Sequence, residues 1–223
     1  MKKIRKLVPY IKYRFELLSR NKRGQITLNS EIGKWLQLIS SLNSTHTIME
    51  IGTWNGAGSS KVICESIVHY RTTGNDVNVI GLEIDRKQYE IAKKNLKKYN
   101  FFNVVLGSVV EKTSLDNELL DKTEKIEFEI DSKNLESVPN ILNIIPLKLD
   151  LLVLDGGGFS TYQEFQLLGP RAKYIILDDT KIRKSKKILD EAKTGKKFTV
   201  IFESDERNGT AVLLNNDLIL NQS

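Results

Sequence analysis

The chain has 223 residues, 40% of them apolar and 28% charged, which is enough material for one large globular domain with a core of its own. Its net charge of +6 is unevenly spread: residues 1–23 carry nine Lys/Arg against Glu16 alone, a net of +8. The remainder is therefore near −2, and neither a broad phosphate-binding surface nor a nucleic-acid partner is indicated. A single cysteine, Cys64, excludes an internal disulfide and a cysteine metal cage, and the cytoplasm is the expected address. No apolar run reaches bilayer length, and Lys12, Arg14 and Glu16 interrupt any signal-peptide core.

Residues 1–28 are expected to form a basic N-terminal arm and residues 29–223 an α/β domain. In the arm, Ile4, Leu7, Val8, Ile11, Phe15 and Leu18 recur at helical spacing with most basic residues off the stripe. Most such stripes pack on their own domain or on a second subunit, and that is the first reading, with a homodimer as its corollary. A helix lying on a membrane surface or an anionic partner through residues 1–23 is the alternative.

After Gly24, Asn29 or Ser30 caps a helix whose apolar face is Trp35, Leu36, Ile39 and Leu42. Thr47 to Ile51 reads as a first buried strand. It ends in a glycine-rich turn, Gly52, Gly56 and Gly58, and a helix with Ile63, Ile67 and Tyr70 on its inner face. His69, near the far end of that helix, reads as a surface histidine. Val77 to Ile84 is a second strand, after which Asp85 caps a helix with Tyr89, Ala92, Leu96 and Tyr99 inward and four lysines outward. Phe102 to Val110 is a third strand. The polar stretch Glu111 to Glu136 is the least legible, with Lys125 to Ile130 as an extra strand.

Leu147 to Leu154 is a fourth strand, ending at Asp155 and Gly156-Gly157-Gly158. A helix over Tyr162 to Leu168 leads to a fifth strand, Ala172 to Leu177, that ends at Asp178-Asp179-Thr180. Lys181 to Lys193 reads as a basic helix. Lys197 to Glu203 and Thr210 to Asn215 form a closing hairpin through Asn208-Gly209. Alternating strands and helices imply parallel βαβ units, a doubly wound Rossmann-like sheet, and ligands beyond the carboxyl ends of its strands.

The chemistry gathers at those ends. A strand running through Glu50 into Gly52, Gly56 and Gly58 brings backbone N–H groups close to a ligand. The plainer reading is an ordinary βα turn that happens to be rich in glycine. Glu83, ending the second strand, can accept both hydroxyls of a ribose. Carboxylates from adjacent strand ends, Asp155, Asp178 and Asp179, would repel one another unless a cation or a proton intervened, and hard oxygen ligands suit Mg²⁺. The plainer reading is that Asp178 or Asp179 caps the next helix.

EIGTWNGAGSS, GLEID, LGS at 106–108, LDLLVLDGG and YIILDDT follow one another in an order that resembles the class I S-adenosylmethionine-dependent methyltransferases. The resemblance covers most of residues 47–215 and implies a seven-stranded sheet whose last strand is antiparallel. It implies cofactor contacts at Glu50, Gly52, Gly56, Gly58, Glu83 and Ser108. LDGG with LDDT is similar to metal-dependent O-methyltransferases. That likeness implies a divalent ion on Asp155, Asp178 and Asp179, with catalysis at Asp155 on a sugar or other small hydroxyl acceptor. One departure stands out: such enzymes often carry a histidine or lysine just after the fourth-strand Asp, where this chain has Gly156 to Phe159. Lys181 and Tyr162 are the candidate substitutes for that base. A nucleotide-sugar or dinucleotide enzyme on a similar sheet, and a cofactor-binding module without activity, remain open alternatives.

Overall fold

The computed structural model describes residues 25–71, 76–115, 120 and 122–220. The expectations for the basic stripe of residues 1–23 lie outside them. The chain runs α1 (Glu31–Ser41), β1 (Thr47–Ile51), α2 (Ser59–Tyr70), β2 (Asn78–Glu83), α3 (Arg86–Leu96) and β3 (Phe102–Leu106). It continues α4 (Lys122–Glu136), β4 (Leu149–Leu154), α5 (Thr161–Leu168), β5 (Ala172–Asp178), α6 (Arg183–Thr194), β6 (Phe198–Ser204), β7 (Thr210–Asn215) and α7 (Asn216–Leu220).

The strands form one seven-stranded sheet in the order β3-β2-β1-β4-β5-β7-β6. Pairs among β1 to β5 are parallel, while β7 runs antiparallel to both β5 and β6, so the fold is the Rossmann-like α/β sheet with a closing hairpin. Strands covered on both faces read as near-continuous apolar runs, and successive residues feed opposite cores. In β4, Leu152 and Leu154 enter one core and Leu151 and Val153 the other. In β5, Ile175 and Leu177 oppose Ile176 in the same way. The strand order reverses between β1 and β4, which is where such a sheet opens a crevice.

Local chemistry sets the helix starts. Ser30 Oγ accepts from Gly33 N at 3.2 Å to cap α1, and Asp85 Oδ1 accepts from Gln88 N at 2.9 Å to cap α3. Gly58 precedes α2 with no side-chain cap, which leaves the first N–H groups of that helix for a ligand.

Three expectations are corrected. Lys125 to Ile130 is helical, not a strand: it lies within α4, whose Leu135 is buried and whose Phe128 packs against the core. β3 stops at Leu106 rather than Val110, because the ladder with β2 ends at Gly107 N to Glu83 O and Ser108 then pairs with Asn140. Tyr70 does not face inward; it is 62% exposed at the end of α2. His69 is exposed, as expected. No helix among the described residues is long and apolar enough to cross a membrane.

Candidate active site

A cleft of about 440 Å³ opens at the carboxyl ends of β1, β2, β4 and β5. Gly52, Gly58, Glu83, Ser108, Asp155, Asp178 and Asp179 line it, so seven of the residues singled out from sequence converge there.

On the β1–β2 side the turn is built by close approach. Gly52 has φ +87°, and a Cβ on it would lie 2.2 Å from Asp155 O. No other residue type fits where the β1 and β4 turns touch. Gly56, at φ +73°, is used differently: its missing Cβ makes room for Leu96 of α3, and it does not line the cleft. Glu50 does not line it either; it is fully buried, and Ser60 Oγ donates to its carboxylate at 2.5 Å. Burial pushes the Glu50 carboxyl up to about 7.

Glu83 accepts from three backbone N–H groups, Trp54 at 2.6 Å, Ile84 at 3.0 Å and Asp85 at 2.8 Å. Burial pushes its pKa up to about 7 even against those donors. Trp54, at φ +51°, is held in the left-handed region as it turns its N–H to Glu83. Two carboxylate oxygens offer about four lone-pair sites, so this group retains capacity for ligand hydroxyls. Thr53 Oγ1 is buried behind the same wall, on the side of Gly81 and Glu50. Ser108 Oγ is engaged locally, donating to Val110 O at 2.9 Å and accepting from Val110 N at 3.1 Å.

The β4–β5 side is acidic. One oxygen from each of Asp155, Asp178 and Asp179 lies within 4.8 Å of the others. Among them sits Lys184, from the first turn of α6, with Nζ 2.6 Å from Asp155 Oδ1, 3.2 Å from Asp179 Oδ2 and 4.0 Å from Asp178 Oδ2. Burial would lower the ammonium's pKa, but the carboxylates of Asp155, Asp178 and Asp179 more than reverse this and hold it above its ordinary value. Asp178 is raised to about 7, by burial first and then by the charge of Asp155. Burial pushes Asp179 up as well, and Lys184 outweighs it, leaving Asp179 below the ordinary carboxylate range.

The closing hairpin reaches back to the same place. Thr180 N donates to Gly209 O at 3.0 Å and Lys181 N to Asn208 O at 2.8 Å, tying the turn after β5 to the β6–β7 turn. That tie brings Arg207 to within 3.0 Å of Asp178 Oδ2, and Asn208 Nδ2 donates to Asp179 Oδ1 at 3.0 Å. Asp179 itself has φ +58°, a conformation that Asp tolerates better than most residues.

Neither candidate substitute base lies in this cleft. Lys181 Nζ is exposed and pairs with Asp205 at 2.7 Å, and Tyr162 OH donates to Glu191 Oε1 at 2.7 Å beside a separate groove. The glycine run is partly filled: a Cβ on Gly157 would meet Asp131 Oδ2 at 2.6 Å and one on Gly156 Glu164 Oε2 at 3.1 Å, while Gly158 faces open space. Asp131 and Glu164 are raised by burial to about 6 and about 7.

Lys184, Arg207, Asn208, Asp131 and Glu164 were not evident from the sequence. Only Lys184 carries a signal. With Ile188 and Ala192 it falls at i, i+4 and i+8 on the buried stripe of α6, whereas Lys186 and Lys187 lie off it.

No model of a protein family matches the chain. No curated protein matches it either. Solved structures do, across nearly the whole length. A candidate caffeoyl-CoA O-methyltransferase from Staphylococcus aureus aligns with TM-score 0.58 and 16% identity, covering 96% of this chain and 98% of that one. The O-methyltransferase TomG from Streptomyces achromogenes, involved in tomaymycin synthesis and bound to S-adenosylmethionine, gives 0.57 and 14%, covering 86% and 82%. An O-methyltransferase from Bacillus cereus in complex with S-adenosylhomocysteine gives 0.56 and 15%, covering 90% and 89%. The chain therefore shares the fold of these O-methyltransferase structures.

Two implied groups can be tested against these residues. S-adenosylmethionine fits: a Gly52 turn that no Cβ could enter, the uncapped start of α2 and a carboxylate at the end of β2 all line one cleft. A divalent ion fits poorly. The oxygens suit one, but a buried ammonium already lies between two of the three.

Proposed function

We propose that the protein is an S-adenosylmethionine-dependent methyltransferase acting on a hydroxyl oxygen of a small acceptor, such as a sugar or another polar alcohol. The observation that carries this reading is the joint placement of the Gly52 turn, Glu83 and Asp155 on one cleft at the strand-order reversal of a methyltransferase fold. The cofactor supplies a sulfonium-activated methyl group.

The chain's own residues do the rest. Glu83 accepts hydrogen bonds from the ribose hydroxyls with the lone pairs its three backbone donors leave. Gly52, Gly58 and the N-terminal N–H groups of α2 face the methionine end, and Ser108 lies toward the adenine. As the acceptor oxygen gains the methyl, its hydroxyl proton must leave. Asp155, ending β4 with a partly exposed carboxylate, is the group in the cleft positioned to receive it. A cytoplasmic location belongs to the same reading, consistent with the single, buried, unpaired Cys64.

A second reading, methyl transfer assisted by Mg²⁺ on Asp155, Asp178 and Asp179, is favoured by the convergence of their oxygens within 4.8 Å. Lys184 weighs against it.

The test uses methyl-labelled S-adenosylmethionine and fractionated small-molecule extracts. Label should appear in a hydroxyl-bearing fraction with wild-type protein and be absent with Asp155→Asn, while the variant still binds S-adenosylhomocysteine within a few-fold. Binding without transfer to any fraction would point to the inactive module, and a preference for NAD would point to a dinucleotide enzyme.

A further inference from the structure

We propose that Lys184 is the resident cation of this site: its ammonium takes the place that a divalent ion would occupy among Asp155, Asp178 and Asp179, so the site works without metal. This rests on the methyltransferase reading for its purpose but not for its evidence.

The evidence is geometric. The Lys184 side chain is only 7% exposed, and its Nζ lies within hydrogen-bond distance of one oxygen of Asp155 and one of Asp179. The third carboxylate, Asp178, is 2% exposed and is matched by Arg207 at 3.0 Å. Two cations from α6 and the hairpin thus face three carboxylates from the ends of β4 and β5. A buried lysine is tolerated only when its charge is met in this way, and buried carboxylates likewise.

A hard divalent ion would need the same inward-facing oxygens at about 2.0–2.6 Å, beside the like charge of Lys184 that those oxygens already hold. Lys184 is fixed by position as well as by charge, because it begins the buried stripe that continues through Ile188 and Ala192.

There is a consequence for the acceptor class. A metal site selects substrates that chelate through two neighbouring oxygens. An ammonium held between carboxylates offers single hydrogen bonds instead, so the acceptor needs one hydroxyl and no chelating partner. Lys184 also polarises the side of the cleft where Asp155 receives a proton.

The test reads bound Mn²⁺ by electron paramagnetic resonance on the full chain after chelator treatment, with S-adenosylhomocysteine calorimetry on the same samples. Wild-type protein should bind no Mn²⁺ at millimolar concentration. Lys184→Ala, and Lys184→Met as a variant that retains the packing, should gain a site at least about tenfold tighter than any wild-type signal, corresponding to about 1.4 kcal/mol. Asp155→Asn added to either should abolish the gained site. Wild-type binding that Asp155→Asn removes would overturn the proposal, and that arm needs no Lys184 variant to fold. Folded Lys184 variants that still bind S-adenosylhomocysteine but stay blind to Mn²⁺ would overturn it too. Loss of S-adenosylhomocysteine binding in the wild type would instead count against the cofactor reading.

Discussion

The two halves of the cleft handle buried carboxylates in opposite ways. On the β2 side, Glu83 is surrounded by neutral backbone donors and has no ion pair among the described residues. On the β4–β5 side, Asp155, Asp178 and Asp179 are matched by Lys184 and Arg207. Backbone N–H groups support a carboxylate without saturating it, which suits a group that must still accept hydroxyls from a ligand. Side-chain cations offset most of the charge of three converging carboxylates and hold them in place.

The contrast can be broken most severely at the point where the halves touch. Gly52→Ala adds a Cβ 2.2 Å from Asp155 O at φ +87°, so the β1 and β4 turns must separate. Thermal or urea unfolding should show a loss of about 2–4 kcal/mol, together with loss of S-adenosylhomocysteine binding. A variant as stable as wild type would mean that the two turns are not in contact.

Glu83→Gln sharpens the β2 side of the contrast. It keeps the shape but turns one accepting oxygen into an NH2 that faces a backbone N–H, so calorimetry should show cofactor affinity weakened about 10- to 100-fold and denaturant unfolding a loss of about 1–3 kcal/mol. An equal change in Asp155→Asn would erase the distinction between the halves.

Glu50→Gln tests the carboxylates that carry no cation by their pH response. Folding raises the Glu50 pKa from 4.5 to about 7, so its contribution to stability is present in full below pH 4.5 and is lost as pH rises toward 7. The glutamine does not titrate. The stability of Glu50→Gln relative to wild type should therefore climb between pH 4.5 and 7, by on the order of 1–3 kcal/mol in denaturant titrations. A flat difference would show that burial does not perturb this acid.

Lys181→Ala is the small control for Lys184. Its pair with Asp205 has side chains 51% and 88% exposed, so the unfolding midpoint and the cofactor affinity should both match the wild type.

The β1–β2 side of the cleft was legible in the sequence because its parts are local. A strand, a glycine turn and a helix start lie within a dozen residues, and Glu83 sits at the end of the next apolar run. The caps at Ser30 and Asp85 could be read for the same reason. The charged half was legible only in its acids, each at a strand end. Its cations come from α6 and from a hairpin turn, and only its helical spacing with Ile188 and Ala192 separates Lys184 from the neighbouring lysines. Arg207 reads as a turn residue until Thr180 and Lys181 are seen bonded to that turn. The stretch Lys125 to Ile130 misled because short apolar alternation resembles a strand, while packing of Phe128 and Leu135 against the core sets the helix.

The central claim is a cofactor cleft complete without metal, and one titration addresses it. S-adenosylhomocysteine is added to chelator-treated protein by calorimetry, with and without excess Mg²⁺. The account predicts saturable heat from a single site, with the same dissociation constant in both buffers. No heat at millimolar ligand, or binding that appears only with Mg²⁺, would contradict it.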